Sequence, residues 1–260
     1  MILAIDVGNT NIVLGCMEDG KIVGVTRMET DRRKTAHEYA ISLRAALTFG
    51  DIDPSAMEGC ILSSVVPPLN AALSAAVRMV TGCDVLLVGP GIKTGLNLGV
   101  DDPAQIGADL VVGAVAAMSL AEPPLIIVDM GTATTMTVVD ENGRFRGGCI
   151  APGVGISVAA LASGTSQLPH ISLEPPKQVI CGDTVEAMRS GAVVGAACMM
   201  DGMIERMEEE LGQSATVIAT GGLGGKIVPL CKREIRYEKN LLLNGLWILW
   251  EKNQKRYRKA

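Results

Sequence analysis

The chain carries the stretch ILAIDVGNTNIVLGCMEDGKIVG at residues 2–24 and a similar stretch, LIIVDMGTATTMTVVDENGRFRG, at residues 125–147. Aligned without gaps, the two stretches share acidic and glycine positions, namely Asp6 with Asp129, Gly8 with Gly131, Glu18 with Glu141, Gly20 with Gly143, and Gly24 with Gly147. Each copy is a β-branched run, an Asp-x-Gly break, a second apolar run and a glycine turn, which is typical of a β-hairpin with a polar tip. The repeat therefore predicts two related halves that each begin with such a hairpin.

The polar tips of the two hairpins are candidates for anion binding. Small residues allow backbone N–H groups to approach an anion closely, and Thr or Asn side chains add further donors. Two such tips facing each other across a cleft would hold a polyphosphate from both sides. The structural alternative is that Asp6 and Asp129 only cap the turns of their own hairpins. The duplication in register favours the binding interpretation.

Length, composition and charge predict a folded protein of two domains. The chain has 260 residues, of which 48% are hydrophobic and 20% are charged. This length is large for a domain with one hydrophobic core and is ordinary for two domains with one core each. We place the predicted domains at residues 1–122 and 123–260. The formal net charge of −5 does not suggest a nucleic-acid partner.

Cysteine usage and hydropathy predict a reduced, cytoplasmic protein. The seven cysteines are scattered without a C-x-x-C pair and the two histidines are isolated, so spacing indicates neither a disulfide framework nor a metal cluster. Residues 147–173 lack charged side chains, but Pro152, Pro169 and several glycines interrupt them. We therefore expect no membrane-spanning helix and no export signal.

The order of the predicted elements indicates an α/β fold. Periodicity predicts helices near residues 36–49, 69–81, 107–121, 184–211 and 240–253, and a small-residue helix that ends near Ser163. After each hairpin and its third strand, apolar runs predict further buried strands at 60–68, 84–89 and 215–222. Each half thus repeats three strands, a helix, a strand and a further helix.

Nine short strings carry a resemblance to a known family. In order, they are DVGNTN at 6–11, SSVVPP at 63–68, DPAQIGAD at 102–109, DMGTATT at 129–135, GGCIAPG at 147–153, TSQLP at 165–169, GDTVEAMRSG at 182–191, TGGLG at 220–224 and NLLLNGL at 240–246. The duplicated hairpin resembles the actin-like kinase and Hsp70 superfamily, and the full set is similar to type III pantothenate kinases over essentially the whole chain. The resemblance implies two tandem RNase H-like domains of the actin-like ATPase type, with ATP in the cleft between them.

The resemblance also implies the reaction and the nucleotide site. The reaction would be phosphoryl transfer from ATP to the terminal hydroxyl of pantothenate, which gives 4'-phosphopantothenate, the first step toward coenzyme A. The ATP-binding residues would be Asp6, Val7, Gly8, Asn9, Thr10, Asn11, Ile12, Val13, Thr132, Thr220, Gly221 and Gly222. Asp6 would also orient Mg²⁺ through water, because Mg²⁺ retains much of its hydration shell. Asp129 would be a ligand of a monovalent cation, K⁺ or NH₄⁺.

By the same resemblance, Asp109 is the catalytic base and lies in the pantothenate pocket. A carboxylate within hydrogen-bond reach can take the proton of a primary alcohol as the bond to phosphorus forms. The pantothenate-binding residues would be Gly107, Ala108, Asp109, Leu110 and Thr184. Family members are homodimers, and the small residues of SGAVVGAACMM at 190–200 would allow close helix contact at an interface. The structural alternatives are that Asp109 is a first-turn acid favoured by the helix dipole and that Thr184 is an N-cap.

One position departs from the family pattern. The pattern Gly-x-Asp-Arg is Gly107-Ala108-Asp109-Leu110 here, so the planar donor fork of a guanidinium is missing. This departure keeps open a second function, a catalytically weakened nucleotide-binding paralogue with a regulatory or accessory role. A third function, a sugar or acetate kinase of the same superfamily, is opposed by the nine ordered strings.

Overall fold

Both predicted hairpins form the start of a β-sheet in the computed structural model of the chain, which describes residues 1–257. The first sheet contains the strands β1 (Ile2–Val7), β2 (Asn11–Glu18), β3 (Lys21–Glu29), β4 (Gly59–Ser64) and β5 (Val85–Leu87). Their order is β3-β2-β1-β4-β5, with antiparallel pairing in the hairpin and parallel pairing from β1 through β4 to β5. The central strand β1 is buried on both faces, which explains its nearly continuous apolar run.

The second sheet repeats this arrangement. It contains β6 (Asn97–Leu98), β7 (Leu125–Met130), β8 (Ala133–Val139), β9 (Arg144–Pro152), β10 (Thr216–Thr220) and β11 (Arg236–Tyr237), in the order β11-β10-β7-β8-β9-β6. Reading from β9 to β11 gives the strand order of the first sheet, and β6 adds one parallel edge pair. The predicted duplication is therefore confirmed. The two-residue strands β6 and β11 are too short to leave a periodic signal in the sequence.

The helices follow the predicted plan closely. They are α1 (Ala36–Phe49), α2 (Asn70–Thr81), α3 (Ala108–Met118), α4 (Val154–Gly164), α5 (Thr184–Arg189), α6 (Gly195–Leu211), α7 (Gly224–Ile227) and α8 (Leu241–Asn253). The start of α1 is fixed by a capping box between Thr35 and Glu38. The predicted long helix at 184–211 is present as α5 and α6, joined by one π-helical turn at Ser190–Val194. The described part of the chain contains no helix whose length and apolar character would let it cross a membrane.

Each sheet has its own apolar core. In the first unit, buried side chains of α1 and α2 pack against the sheet; they include Tyr39, Leu43, Leu47, Leu73 and Val77. In the second unit, the side chains that pack against the sheet come from α4, α6 and the π-helical turn; they include Val154, Val193, Met200 and Ile204. Two separate cores are what the length of the chain predicts.

The structural units differ from the predicted bounds of 1–122 and 123–260 because the chain crosses between them more than once. The first unit comprises Met1–Leu96, Asp102–Ala116 and the described residues from Leu241 onward. The second comprises Asn97–Asp101 and Ala117–Asn240. The closing helix α8 is therefore part of the first unit, although it follows the second in sequence.

Glycines in the first unit allow α8 to lie close to its neighbours. A Cβ atom at Gly59 of β4 would overlap the ring of Trp250, and one at Gly15 of β2 would come within 2.8 Å of Leu243. Gly245 of α8 in turn approaches the backbone of Val112 in α3. Trp250 is 1% exposed, so this aromatic residue is a buried packing element between α8 and the first sheet, as expected for a helix tryptophan.

We expect Trp250→Ala to lower the free energy of unfolding by about 3–5 kcal/mol, because it leaves a large cavity beside β4. Trp247→Ala is the matched control, since Trp247 lies on the same helix but is only half-buried. The measurement is urea unfolding followed by circular dichroism. Equal losses for the two variants would contradict the assignment of Trp250 to the core.

Candidate functional site

The tip of the first hairpin is a short polar turn that follows β1. The Gly8 N–H donates to the Asn11 carbonyl at 3.0 Å and closes the turn. The side chains of Asn9, Thr10 and Asn11 are exposed. The turn is also tied to the segment after β3, because the Thr30 hydroxyl donates to the Gly8 carbonyl at 2.8 Å and the Thr30 N–H donates to the Thr10 carbonyl at 3.0 Å. The predicted phosphate loop is thus an ordered tip with small, accessible residues.

Asp6 lies one residue before the end of β1 and is half-buried in a strand whose other members from Ile2 to Val7 are buried. In the sheet it is in register with Val13 of β2 and Ser63 of β4. Ser63 is fully buried, and among the described residues its hydroxyl oxygen has no hydrogen-bond partner. Neighbouring residues in register point to the same face of a sheet, so the Ser63 hydroxyl accompanies the Asp6 carboxylate and is an additional candidate for the site. The string SSVVPP contained it, but only the strand pairing identifies it.

Asp129 repeats this arrangement in the second unit. It is the half-buried residue of β7, in the same place within the strand's burial pattern as Asp6 in β1. It is in register with Thr135 of β8 and Thr220 of β10, and Thr220 is 3% exposed. A carboxylate flanked by a buried hydroxyl on the parallel neighbour is therefore common to both units. This pairing brings the predicted residues Asp129 and Thr220 together.

The tip of the second hairpin is one residue shorter than the tip of the first. It closes with a bond from the Gly131 N–H to the Ala133 carbonyl at 3.0 Å, and Met130 pairs with Thr134 where Val7 pairs with Ile12. The gapless alignment is therefore wrong by one residue within the second strand. Thr132 therefore stands where the first tip has both Asn9 and Thr10.

The missing residue is restored in the turn between β8 and β9. There the Asp140 carboxylate accepts bonds from the N–H groups of Asn142 at 3.1 Å and Arg144 at 3.0 Å. Asp140 is 5% exposed, and these bonds compensate the burial of its charge. The compensating insertion explains why a gapless alignment still matched Gly143 and Gly147 with the glycines of the first copy.

The glycine turn after β10 is fixed by two features that sequence reasoning did not find. Gly221 has a φ of +93° and passes so close to the Met130 backbone that a Cβ atom there would lie 2.6 Å from it. The Tyr237 hydroxyl donates to the Gly221 carbonyl at 3.0 Å, and its ring packs on Gly224. Only glycine fits both the left-handed backbone and the close approach. Gly222 is exposed beside it.

Gly153 is a further residue that the sequence analysis did not assign to the site. It is the N-cap of α4, and a Cβ atom there would overlap the carbonyl groups of Gly131 and Thr132. The start of an 11-residue helix therefore lies against the second hairpin tip. The string GGCIAPG pointed to this region. The contact itself depends on how β9 folds back beside β8.

Asp109 is the second residue of α3, and the chain turns into that helix at Gly107. The N–H groups of Leu110 and Val111 donate to the Gly107 carbonyl at 3.1 and 3.4 Å, and the Asp109 carboxylate accepts the Leu110 N–H at 2.9 Å. Asp109 is half-buried, and burial raises the pKa of its carboxyl against the opposing effect of the N–H bonds from Leu110 and from Asp109 itself. A raised pKa suits a group that accepts a proton.

Thr184 is exposed at the first position of α5. The N-cap of this helix is Asp183, whose carboxylate accepts the Glu186 N–H at 3.0 Å. The structural alternative that makes Thr184 the N-cap is therefore wrong by one residue. The Thr184 hydroxyl is not engaged in that cap, which leaves the predicted ligand contact as a proposal.

A groove of about 610 Å³ lies between α1 and α2 and is lined by residues such as His37, Ile41, Arg44, Phe49 and Met79, but it contains none of the predicted site residues. Within residues 1–257, no three His, Cys, Asp or Glu side chains are grouped so that they would hold a metal ion by themselves.

We expect Asp109→Asn to raise the midpoint of thermal unfolding at pH 7. The folded-state pKa of Asp109 lies above its unfolded value, so the folded state binds a proton more tightly, and stability falls as pH rises through that interval. The gain should narrow as the pH falls below about 4, where the carboxyl becomes protonated in both states. Asp53→Asn is the control of opposite sign, because hydrogen bonds from Ser55 lower the pKa of Asp53. A lower midpoint for Asp109→Asn at pH 7 would contradict the burial argument.

Comparison with known proteins identifies the family. The family model described as type III pantothenate kinase matches residues 2–206. A protein named type III pantothenate kinase from Exiguobacterium sp. is 44% identical over 98% of this chain and 100% of its own length. One of the same name from Bacillus cytotoxicus is 44% identical over 97% of both chains.

The solved structures add support for the fold. A ROK family glucokinase from Streptomyces griseus, in complex with glucose and AMPPNP, is similar with a TM-score of 0.55 and 14% identity over 95% of this chain and 98% of its own. At that identity the likeness concerns the fold alone, and it agrees with two RNase H-like domains of the sugar-kinase and actin-like ATPase type. The match of the family model and the full-length relatives together show that the chain belongs to the type III pantothenate kinase family.

Proposed function

We propose that this protein is a kinase that transfers the γ-phosphoryl group of ATP to the terminal hydroxyl of pantothenate, in the first step toward coenzyme A. The observation that carries the proposal is full-length similarity, 44% identity over 98% of the chain, to a protein named type III pantothenate kinase. The two carboxylate-bearing hairpin tips give this similarity a physical basis. The same similarity favours a working kinase over a weakened paralogue and over a sugar or acetate kinase.

The residues of the two tips suit a polyphosphate and its cations. The segment Asp6–Val13 and Thr132 would donate to the phosphates, and Thr220, Gly221 and Gly222 would lie under the adenosine. Oxygen ligands suit Mg²⁺, which proteins usually hold with one or two carboxylates together with substrate phosphates and water. The half-buried Asp6 carboxylate fits this role. Asp129 and the hydroxyl of Thr220 offer the oxygen atoms that a monovalent cation, K⁺ or NH₄⁺, requires. Bound cations would neutralise the charge that develops on the transferred group.

Asp109 would act as the base in the transfer step. Its carboxylate takes the proton of the pantothenate hydroxyl while the new oxygen–phosphorus bond forms and the bond to the β-phosphate oxygen breaks, which releases ADP. Burial, which raises the pKa of this carboxyl, increases its basicity. Because the transition state is loose, most of the rate should come from alignment and charge neutralisation.

Pantothenate would be bound by Gly107, Ala108, Asp109, Leu110 and the exposed hydroxyl of Thr184. We also propose a homodimer in the cytoplasm. The π-helical turn and the start of α6 carry small residues such as Gly191, Gly195 and Ala196, which would permit close contact between two copies.

We expect ADP release that depends on pantothenate, Mg²⁺ and K⁺ or NH₄⁺, and we expect Asp109→Asn to lower kcat by roughly 10²–10⁴-fold through loss of general-base catalysis. The measurement is a coupled ADP-release assay with K⁺ and with Na⁺. Asp101→Asn, which removes an exposed carboxylate, is the control and should retain activity. ATP binding without turnover on pantothenate would overturn the proposed reaction.

We expect Leu110→Arg to raise kcat/KM for pantothenate by roughly 10- to 100-fold, because a guanidinium adds a charge-assisted hydrogen bond that leucine cannot make. Leu110→Met, which adds no charge, is the control. The same assay provides the measurement. An unchanged kcat/KM in Leu110→Arg would mean that another group in this chain already supplies the interaction.

A further inference from the structure

The segment that follows β3 is held firmly against the tip of the first hairpin. We call Asp31–Lys34 the basic loop. Just before it, Thr30 makes the two bonds to the tip described above. The Asp31 backbone exchanges two bonds with the hydroxyl of Tyr39, at 3.1 and 2.8 Å. Tyr39 is fully buried, and the capping box at Thr35 fixes the far end of the loop. The basic loop is therefore an ordered extension of the tip.

The three cations of the basic loop have different partners. Arg33 pairs with the Asp31 carboxylate at 3.2 Å, and the Lys34 ammonium lies 5.7 Å from the centre of the Tyr39 ring. Arg32 instead donates to the side-chain oxygen of Asn9 at 3.1 Å, and no carboxylate among residues 1–257 forms an ion pair with it. Its guanidinium is therefore held by a neutral side chain, that of Asn9 in the tip.

We propose that Arg32 binds a phosphate group of the nucleotide held at the first hairpin tip, an inference that rests on the proposed kinase function. A guanidinium has five N–H donors in a planar fork. Asn9 takes one of them, so the others remain for phosphate oxygens, which Arg recognises with two parallel bonds. The bond to Asn9 orients the fork in advance and reduces the side-chain entropy lost on binding. Arg32 would thus be a binding residue, and its contribution would be electrostatic.

The sequence indicated neither the contact nor the role. Arg32 is the first of three consecutive basic residues, and such a run is usually a solvated face. The structure separates the three, because only Arg32 reaches the tip. This difference supplies a matched control, since Arg33 is adjacent, equally charged and directed to Asp31.

The test compares Arg32→Gln, Arg32→Lys and Arg33→Gln by calorimetric titration with ATP in buffer that contains Mg²⁺ and a fixed concentration of K⁺. We expect Arg32→Gln to weaken ATP binding by about 10- to 100-fold, as for loss of a hydrogen bond to a charged group. Arg32→Lys should retain only part of the affinity, because an ammonium keeps the charge but lacks the planar fork, and Arg33→Gln should match the wild type. Both residues changed are exposed, and circular dichroism checks that the variants fold.

Ionic strength distinguishes a charge contact from a positioning role. When ionic strength is raised with tetramethylammonium chloride, ATP affinity should fall less steeply for Arg32→Gln than for the wild type. The reason is that salt screens the attraction between the Arg32 guanidinium and the phosphate, and the variant lacks this attraction. If Arg32 only positioned Asn9, the salt dependence of ATP affinity in Arg32→Gln would equal that of the wild type. That result would overturn the inference.

The two proposals fail in different ways. Wild-type affinity for ATP in Arg32→Gln, together with normal turnover, would overturn the role of Arg32 and leave the kinase intact. Absence of ATP binding by the wild type would overturn both. Equal weakening in Arg32→Gln and Arg33→Gln would also contradict the inference, because it would indicate a general effect of surface charge.

Discussion

The structure depends on one constraint: a strand that is buried on both faces can carry a charged residue only where it leaves the sheet. β1 and β7 are buried throughout except at Asp6 and Asp129, because an unpaired carboxylate farther inside would lose its hydration without compensation. Both positions lie at the carboxyl ends of parallel strand pairs, where ligands bind in open α/β sheets. The fold therefore brings a carboxylate, a buried hydroxyl from the parallel neighbour and a polar hairpin tip to one edge of each sheet.

The two copies have diverged around this constraint in ways that suit different tasks. The first tip is longer and is tied to Thr30 and Arg32, which surround it with polar and basic groups. The second tip is shorter by one residue and lies against the start of α4 at Gly153, beside the glycine turn that Tyr237 holds. Helix starts and glycine-rich turns present backbone N–H groups to anions. The proposed assignments follow this division, with the side chains of the first tip acting on phosphate and Mg²⁺, and the backbone groups of the second acting on phosphate and adenosine.

The pKa of the Asp109 carboxyl is set by opposing effects of its local structure. Its place in the first turn of α3 favours the ionised form through N–H bonds and the helix dipole, whereas its burial favours the protonated form and prevails. The balance yields a carboxylate that accepts a proton more readily than an exposed one. Leu110 follows it in this chain and carries no charge.

The sequence by itself determined the duplicated hairpin, the α/β class, the helices α1, α2 and α8, and the family, because these depend on local periodicity and on ordered motifs. It also supplied the candidate residues Asp6, Asp129 and Asp109. Only the tertiary structure decided that α8 belongs to the first unit, that the second tip is one residue shorter, and that Ser63, Gly153, Tyr237 and Arg32 lie beside predicted site residues. These features come from strand pairing and from contacts between residues far apart in the chain, which leave no periodic signal in a single sequence.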